Sequence, residues 1–532
     1  MALNSEHPGY TQMHPDWVVM LDTYAGERRI KDKGASYLLP TPAMVIDGFG
    51  KPNVIDNAGD LAYERYKARA VFWDYVSDAV KTLVGMLHQK PATIKLPTAM
   101  EPLIKKASRE GETLQQLLRR IHEQQLVTGR LGLLADLPDA LTNDPNTIPY
   151  IALYNALSVI NWDVSHDDIG LDTTRLVVLN ETAFERTTEF TWREVQKYRV
   201  LQMSPMIAPS PIDGSNDAIV EGNDTQEETI DPAVPPGTYC TGVFRFTDQS
   251  SFDPNEMIAP TYKGRMLQEI PFQFVNSSDL VSTPETPPLI GLARICLAIY
   301  RGEADYRQSL FMQGQDTLVI IGGTPINDPS DPRNGEGDTA RRVGAGATID
   351  VNVGGDAKYI GVGGEGLAEQ RSSLENDKQA AASKAGQLIS PAAGKQESGD
   401  ALTTRVSAQT ASLTTIAKTG AAALEAILKQ IARWMGLNEA EVIVEANTEF
   451  LDQLMTFKDL SDAMDARMKG APTSLKSIHD NMLARGMTEM TFEEEIAQIL
   501  IEKSMPGAQP VEPPSVTAAA VKPATTSVGQ RK

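Results

Sequence analysis

The pattern closest to a chemical site is Gly361-Val362-Gly363-Gly364-Glu365-Gly366, which fits G-x-G-x-x-G. It follows a strand-like segment and precedes a helical one, the context in which a helix N-terminus can face a pyrophosphate. The rest of a dinucleotide-binding unit is missing. No second strand follows the helix, and no acidic residue stands about 20 positions on to hold a ribose. A flexible strand-to-helix junction is the better account, because glycine frees the backbone there. Other chemistries fare worse. His7, His14, His88, His122, His166 and His479 are scattered, with no H-E-x-x-H. His166-Asp167-Asp168 reads as a solvated turn before it reads as a metal site. Asp328, Asp331, Glu336 and Asp338 are rich in oxygen ligands, but their spacing fails the EF-hand template. Neither a P-loop nor a G-x-S-x-G nucleophile motif occurs. The sequence therefore gives no positive sign of an enzyme and calls for no cofactor or metal.

The elements around these residues form an α+β pattern, mainly helical. Tyr63, Tyr66, Ala70, Trp73, Val80, Leu83 and Leu87 recur at helical spacing and predict one helical face ending before Pro91. Ala92–Leu96 and Leu133–Leu137 read as short strands, with a helix between them through Leu114, Leu117, Leu118, Ile121 and Val127. Leu176–Leu179, Phe184–Trp192, Tyr239–Phe246 and Ile270–Val275 are β-rich. Pro287 and Pro288 open a helix over Leu289–Met312, since proline is tolerated in a first turn. Strands are expected at Thr317–Ile321, Ala347–Val353 and Lys358–Val362, then helices at Glu365–Ser390 and Leu402–Leu437 and a strand at Glu441–Val444. Further helices run from Phe457 to about Lys503, with a capping signal in Thr491–Glu494.

The chain of 532 residues has 49 Lys and Arg against 70 Asp and Glu, a net charge of −21. That balance argues against a sequence-reading nucleic-acid binder, which shows a basic footprint. Apolar residues at 41% are enough for a core and exclude wholesale disorder. Cys240 and Cys296 alone cannot make a disulfide framework or a Cys-rich zinc site. No secretory signal and no membrane-spanning segment are expected. Between Arg199 and Arg245 there is no Lys or Arg, only acids such as Asp213, Glu221, Glu227 and Glu228 among prolines, which reads as a solvated insertion. The tail beyond Pro506 is rich in Pro, Ala, Thr and Val and is expected to be disordered.

Four separated pieces carry a resemblance. Tyr63-Glu64-Arg65-Tyr66-Lys67-Ala68-Arg69-Ala70-Val71-Phe72 leads into Thr82–Pro91. Tyr37-Leu38-Leu39-Pro40 stands upstream, and Ile270-Pro271-Phe272 leads into Pro287–Tyr300 and Ala304-Asp305-Tyr306-Arg307. Ala408–Ala417 precedes Trp434-Met435-Gly436. In this order the pieces resemble the tailed-bacteriophage portal (head–tail connector) protein family. His88-Gln89 and Ala92 depart from its pattern, as does Ile299-Tyr300-Arg301-Gly302.

The resemblance implies a ring, usually of about twelve subunits, at one capsid vertex of a virion, assembled in the host cytoplasm, through which double-stranded DNA is packaged and ejected. It implies a portal fold of wing, stem, clip and crown: wing 1–288, first stem helix 289–312, clip 313–364 and second stem helix 365–390. A tunnel loop 391–401, a long helix and wing return 402–456, a helical crown 457–504 and the tail 505–532 follow. The implied partners are terminase, a head–tail adaptor, the major capsid protein, scaffolding protein and the DNA, with no membrane. By position, Lys395, Gln396 and Glu397 would form the DNA-proximal tip of the tunnel loop or a plain solvated connection. Arg341 and Arg342 would touch phosphate or a neighbour's carboxylate at the clip, and Gly361, Gly363, Gly364 and Gly366 would hinge clip to stem. Other readings are a different virion connector or tail protein, or a nucleotide-binding enzyme using Gly361–Gly366.

Overall fold

The computed structural model describes residues 3–51, 57–138, 141–142, 147–166, 172–204, 235–246, 252, 256–313, 317–321, 356–360, 365–389, 399–448, 457–470, 472–484, 488 and 490–504. Among the described residues helix and strand mix, with helix at about 52%, in line with the mainly helical α+β composition expected. The chain divides into two units, 1–450 and 451–532.

The first unit opens with α1 (Pro8–Ala25), α2 (Glu27–Asp32), α3 (Pro42–Ile46), α4 (Ala58–Arg69) and α5 (Tyr75–Leu87). The single helical face expected from Tyr63 to Leu87 is in fact two helices. At Ala70 the backbone turns extended (φ −63, ψ 140) while its N–H still caps the Tyr66 carbonyl. The break lets Phe72 enter the core, edge-on to Tyr300. Next come β1 (Thr93–Lys95), α6 (Pro102–Lys105) and α7 (Leu114–Val127). A reciprocal cap starts α7: the Gln116 N–H donates to the Thr113 hydroxyl, and the Thr113 N–H donates to the Gln116 side chain. Gly129, at φ +71, makes the left-handed turn out of α7 that a side chain would strain.

The strands follow as β2 (Arg130–Asp136), β3 (Leu141–Thr142), β4 (Tyr150–Asn155), β5 (Val159–His166), β6 (Asp172–Asn180), β7 (Ala183–Arg186) and β8 (Trp192–Val195). After these come β9 (Lys197–Met203), β10 (Tyr239–Arg245), β11 (Thr261–Tyr262) and β12 (Phe272–Asn276). The strand expected over Phe184–Trp192 is a hairpin instead. β7 pairs antiparallel with β8, and Thr187, Thr188 and Thr191 close the turn by hydrogen bonds among themselves. The main sheet runs β10-β9-β6-β5 and a second runs β12-β2-β4. Arg199 of β9 ties the two together. It donates to Asp136 Oδ2 of β2 at 2.9 Å and to Glu181 Oε1, just after β6, at 2.7 Å. The Tyr150 and Tyr154 hydroxyls of β4 donate to the same two carboxylates, at 2.9 and 2.6 Å. Burial disfavours the guanidinium charge, but the two carboxylates outweigh it and raise the Arg199 pKa.

The rest of the first unit is α8 (Ile290–Gln313), β13 (Thr317–Ile321), β14 (Asp356–Ile360), α9 (Glu365–Ile389), α10 (Gly399–Met435) and β15 (Ile443–Glu445). β15 reaches back to pair antiparallel with β1. Leu424, Ile427, Leu428 and Ile431 of α10 bury against α7 and β2. The expected strand at 347–353 lies outside the described residues. The second unit holds α11 (Phe457–Met468), α12 (Leu475–Ala484) and α13 (Phe492–Ser504), and the capping signal appears as a Thr491–Glu494 box at the start of α13.

A histidine pair, His122 buried and His88 half-buried, joins α5 to α7. His88 Nε2 and His122 Nδ1 are 2.9 Å apart, one donating to the other. Burial, with His88 beside it, lowers the His122 pKa to about 3. A histidine depressed in the fold binds fewer protons than the unfolded chain between pH 6.5 and pH 3. Its stabilisation is complete above pH 6.5 and is lost as the pH falls through that window. Going from pH 7 to pH 5 should destabilise the first unit by on the order of 2 kcal/mol through this group. Urea unfolding at the two pH values, compared with His122→Gln, checks this, and the variant should show the smaller change.

Candidate functional site: the paired helices α8 and α9

The segment from α8 to α9 is a helical hairpin with a strand pair between its arms. β13 pairs antiparallel with β14 in the register Thr317↔Ile360 to Ile321↔Asp356, so α8 and α9 run back along one another. Their seam is narrow. Among the described side chains of α9, Leu374, Ala381 and Ala385 are buried, Lys378 is half-buried, and most of the polar and charged ones face solvent. Gly302 of α8 permits the close approach, because a Cβ there would lie 2.9 Å from Leu374 Cδ2. At mid-seam Glu303 is a buried carboxylate with two cations. It accepts from Lys378 Nζ at 2.5 Å and from Arg307 Nε at 2.7 Å. Burial pushes its carboxyl up, and the two charged donors more than reverse that, leaving it below the usual carboxylate range. Lys378 also sits over the Trp73 ring at 4.6 Å, which links α9 to the start of α5.

The C-terminal half of α8, which leads into β13, is fixed on the N-terminal segment. The Tyr66 hydroxyl of α4 donates to Asp305 Oδ1 at 2.5 Å, and burial with that bond raises the tyrosine pKa. Arg69 stacks over Phe311 at 4.3 Å and hydrogen-bonds Gln308. Arg301 Nε donates to the Tyr37 carbonyl at 2.8 Å. Two motifs singled out in the sequence, Tyr63–Phe72 and Ala304–Arg307, thus meet across 239 positions. Glu303, Lys378 and the Tyr66–Asp305 contact were not foreseen. The only local signal for them was the i,i+4 spacing of Glu303 and Arg307.

Of the residues expected at the site, Gly366 stands exposed in the first turn of α9. Gly361, Gly363, Gly364, Arg341, Arg342, Lys395, Gln396 and Glu397 lie outside the described residues, as do the acidic stretch 205–234 and the tail from 505. α10 begins at Gly399, three residues before the expected Leu402. Elsewhere an open groove of about 410 Å³ runs between α10 and β15. Glu425 within it is engaged, accepting from Lys429 Nζ at 2.5 Å and from the Val444 N–H at 3.0 Å. Among the described residues no group of three or more His, Cys, Asp or Glu side chains is placed to hold a metal ion, and no helix is long and apolar enough to cross a membrane.

A family described as a domain of unknown function (DUF4055) matches residues 288–435. That span runs from the start of α8 to the end of α10. No curated protein matches the chain. Among solved structures, a chain from the neck of a native GTA particle computed with C12 symmetry is 14% identical, over 83% of this chain and 97% of that one, at a TM-score of 0.34. A chain from the virion of a native gene transfer agent particle is 13% identical over the same shares, at 0.33. One from the neck of an empty GTA particle computed with C6 symmetry is 14% identical over the same shares, at 0.34. Overlap at that level does not establish a shared fold.

Proposed function

We propose that this chain is the subunit of a portal ring, the channel at one capsid vertex through which a viral genome is packaged and ejected. The observation that carries the reading is the α8–β13–β14–α9 hairpin followed by the long α10. That order agrees with the stem, clip, stem and long helix implied by the sequence resemblance, and Tyr66–Asp305 joins two of the motifs that carry it. The chemistry agrees with a conduit. Over its described side chains α9 buries a thin stripe and leaves the other faces for neighbouring copies or a water-filled channel. Twelve copies would carry 12 × (−21) = −252 formal charges, so the wall would pass DNA without gripping it. Terminase and a head–tail adaptor would meet the clip, and the major capsid and scaffolding proteins would meet the rest of the ring. The role is structural, with no cofactor. Light scattering on the purified chain tests the reading. The expected mass is about twelve times 57.8 kDa, and a single-copy mass at every concentration would rule the ring out.

A further inference from the structure

We propose that the β7–β8 hairpin is a plug by which each copy of the chain seats on the next, at the apolar surface around α3. The proposal rests on the ring reading above and names one of its contacts. Phe184 is 69% exposed, Phe190 84% and Trp192 64%. The register sets Phe184 opposite Glu194 and Arg186 opposite Trp192, so these four side chains share one face, with Phe190 at the turn. The other face is tied down. Glu185 accepts from Lys197 and, at 3.1 Å, from Arg245, which fixes the hairpin on its neighbours in the main sheet and leaves the aromatic face open.

The area points to a contact within a larger assembly. Aromatic side chains bury about 150–250 Å² each, so this face offers on the order of 400 Å². That is roughly half of the ~800 Å² per partner of a stable interface, too little for two hairpins meeting alone. A plug that each copy gives once and receives once is a heterologous contact, the kind that builds a ring when its rotation closes. The same chain exposes a second, unlike apolar surface, with Leu39 at 73%, Ile46 at 80% and Val45 at 51%. Charge complements shape. Arg186 and Glu194 stand on the aromatic face, and exposed Asp47 and Lys51 flank the α3 surface. A lipid surface fits poorly, because the hairpin carries Glu189 and Glu194 and the chain a net charge of −21.

The test is a disulfide trap in the full chain. Both native cysteines are buried, so cysteines introduced by Glu189→Cys and Asp47→Cys would be the exposed pair. The double variant should give, on mild oxidation, a ladder of covalent multimers up to the closed ring, and neither single variant should. Phe184→Ser, Phe190→Ser and Trp192→Ser together should raise the concentration needed for assembly about tenfold or more, with the melting of the unassembled chain unchanged. Dimers from Glu189→Cys alone, an intrachain bridge, or no bridge overturns the plug. Rings seen by light scattering without a ladder would overturn the plug alone. A single-copy mass with no ladder would overturn the ring reading as well.

Discussion

Arg199→Met should cost the first unit about 3–5 kcal/mol, roughly a fifth or more of the stability of an ordinary domain. The arginine sits between Asp136 and Glu181, and each of those carboxylates also takes a tyrosine hydroxyl. Removing the cation leaves two acids facing each other where water has little access, and breaks the join between the two sheets. The measurement is the urea midpoint of the purified chain, which should fall sharply with little change in slope. Adding Asp136→Asn and Glu181→Gln to the variant should recover part of the loss, because the cost lies in unpaired charge more than in lost contact. An unchanged midpoint would mean that the network adds nothing.

Glu303→Ala should loosen the α8–α9 seam. The glutamate is the buried member of the cluster, and its removal leaves Lys378 and Arg307 without their carboxylate. Both cations are partly solvated, so the expected loss is about 1–3 kcal/mol and not the figure for a fully buried pair. The effect should be local. Limited proteolysis should cut α9 sooner in the variant, and the assembled fraction should fall while the urea midpoint of the sheets barely moves. Glu303→Gln, which can still accept one of the two hydrogen bonds, should sit between parent and alanine variant. Equal proteolysis of all three would remove the seam from the account.

Much of the hairpin was legible in the sequence because local punctuation controls it. Pro287 and Pro288 open α8 and Pro391 closes the α9 pattern, and both helices fall within a residue of expectation. β13 occupies Thr317–Ile321 as expected, for an apolar β-branched run between polar stretches leaves little choice. The misses have two physical causes, contact over long separations and a local turn that composition does not reveal. Ala70–Asp74 keeps helical spacing, yet burying Phe72 beside Tyr300 breaks the helix. Phe184–Trp192 has β composition throughout, but a ring of threonine hydrogen bonds folds it back on itself. Arg199 finds its carboxylates 63 and 18 positions away, and Tyr66 finds Asp305 239 away. Spacing along a chain carries no trace of such partners.

The proposed ring puts the α8–α9 hairpin at the wall of a channel. Single-particle imaging of the purified full chain should show a closed ring of about twelve copies with α8 and α9 around a central hole. Monomers under every condition, or a ring that carries this helix pair on its outer rim, would contradict it.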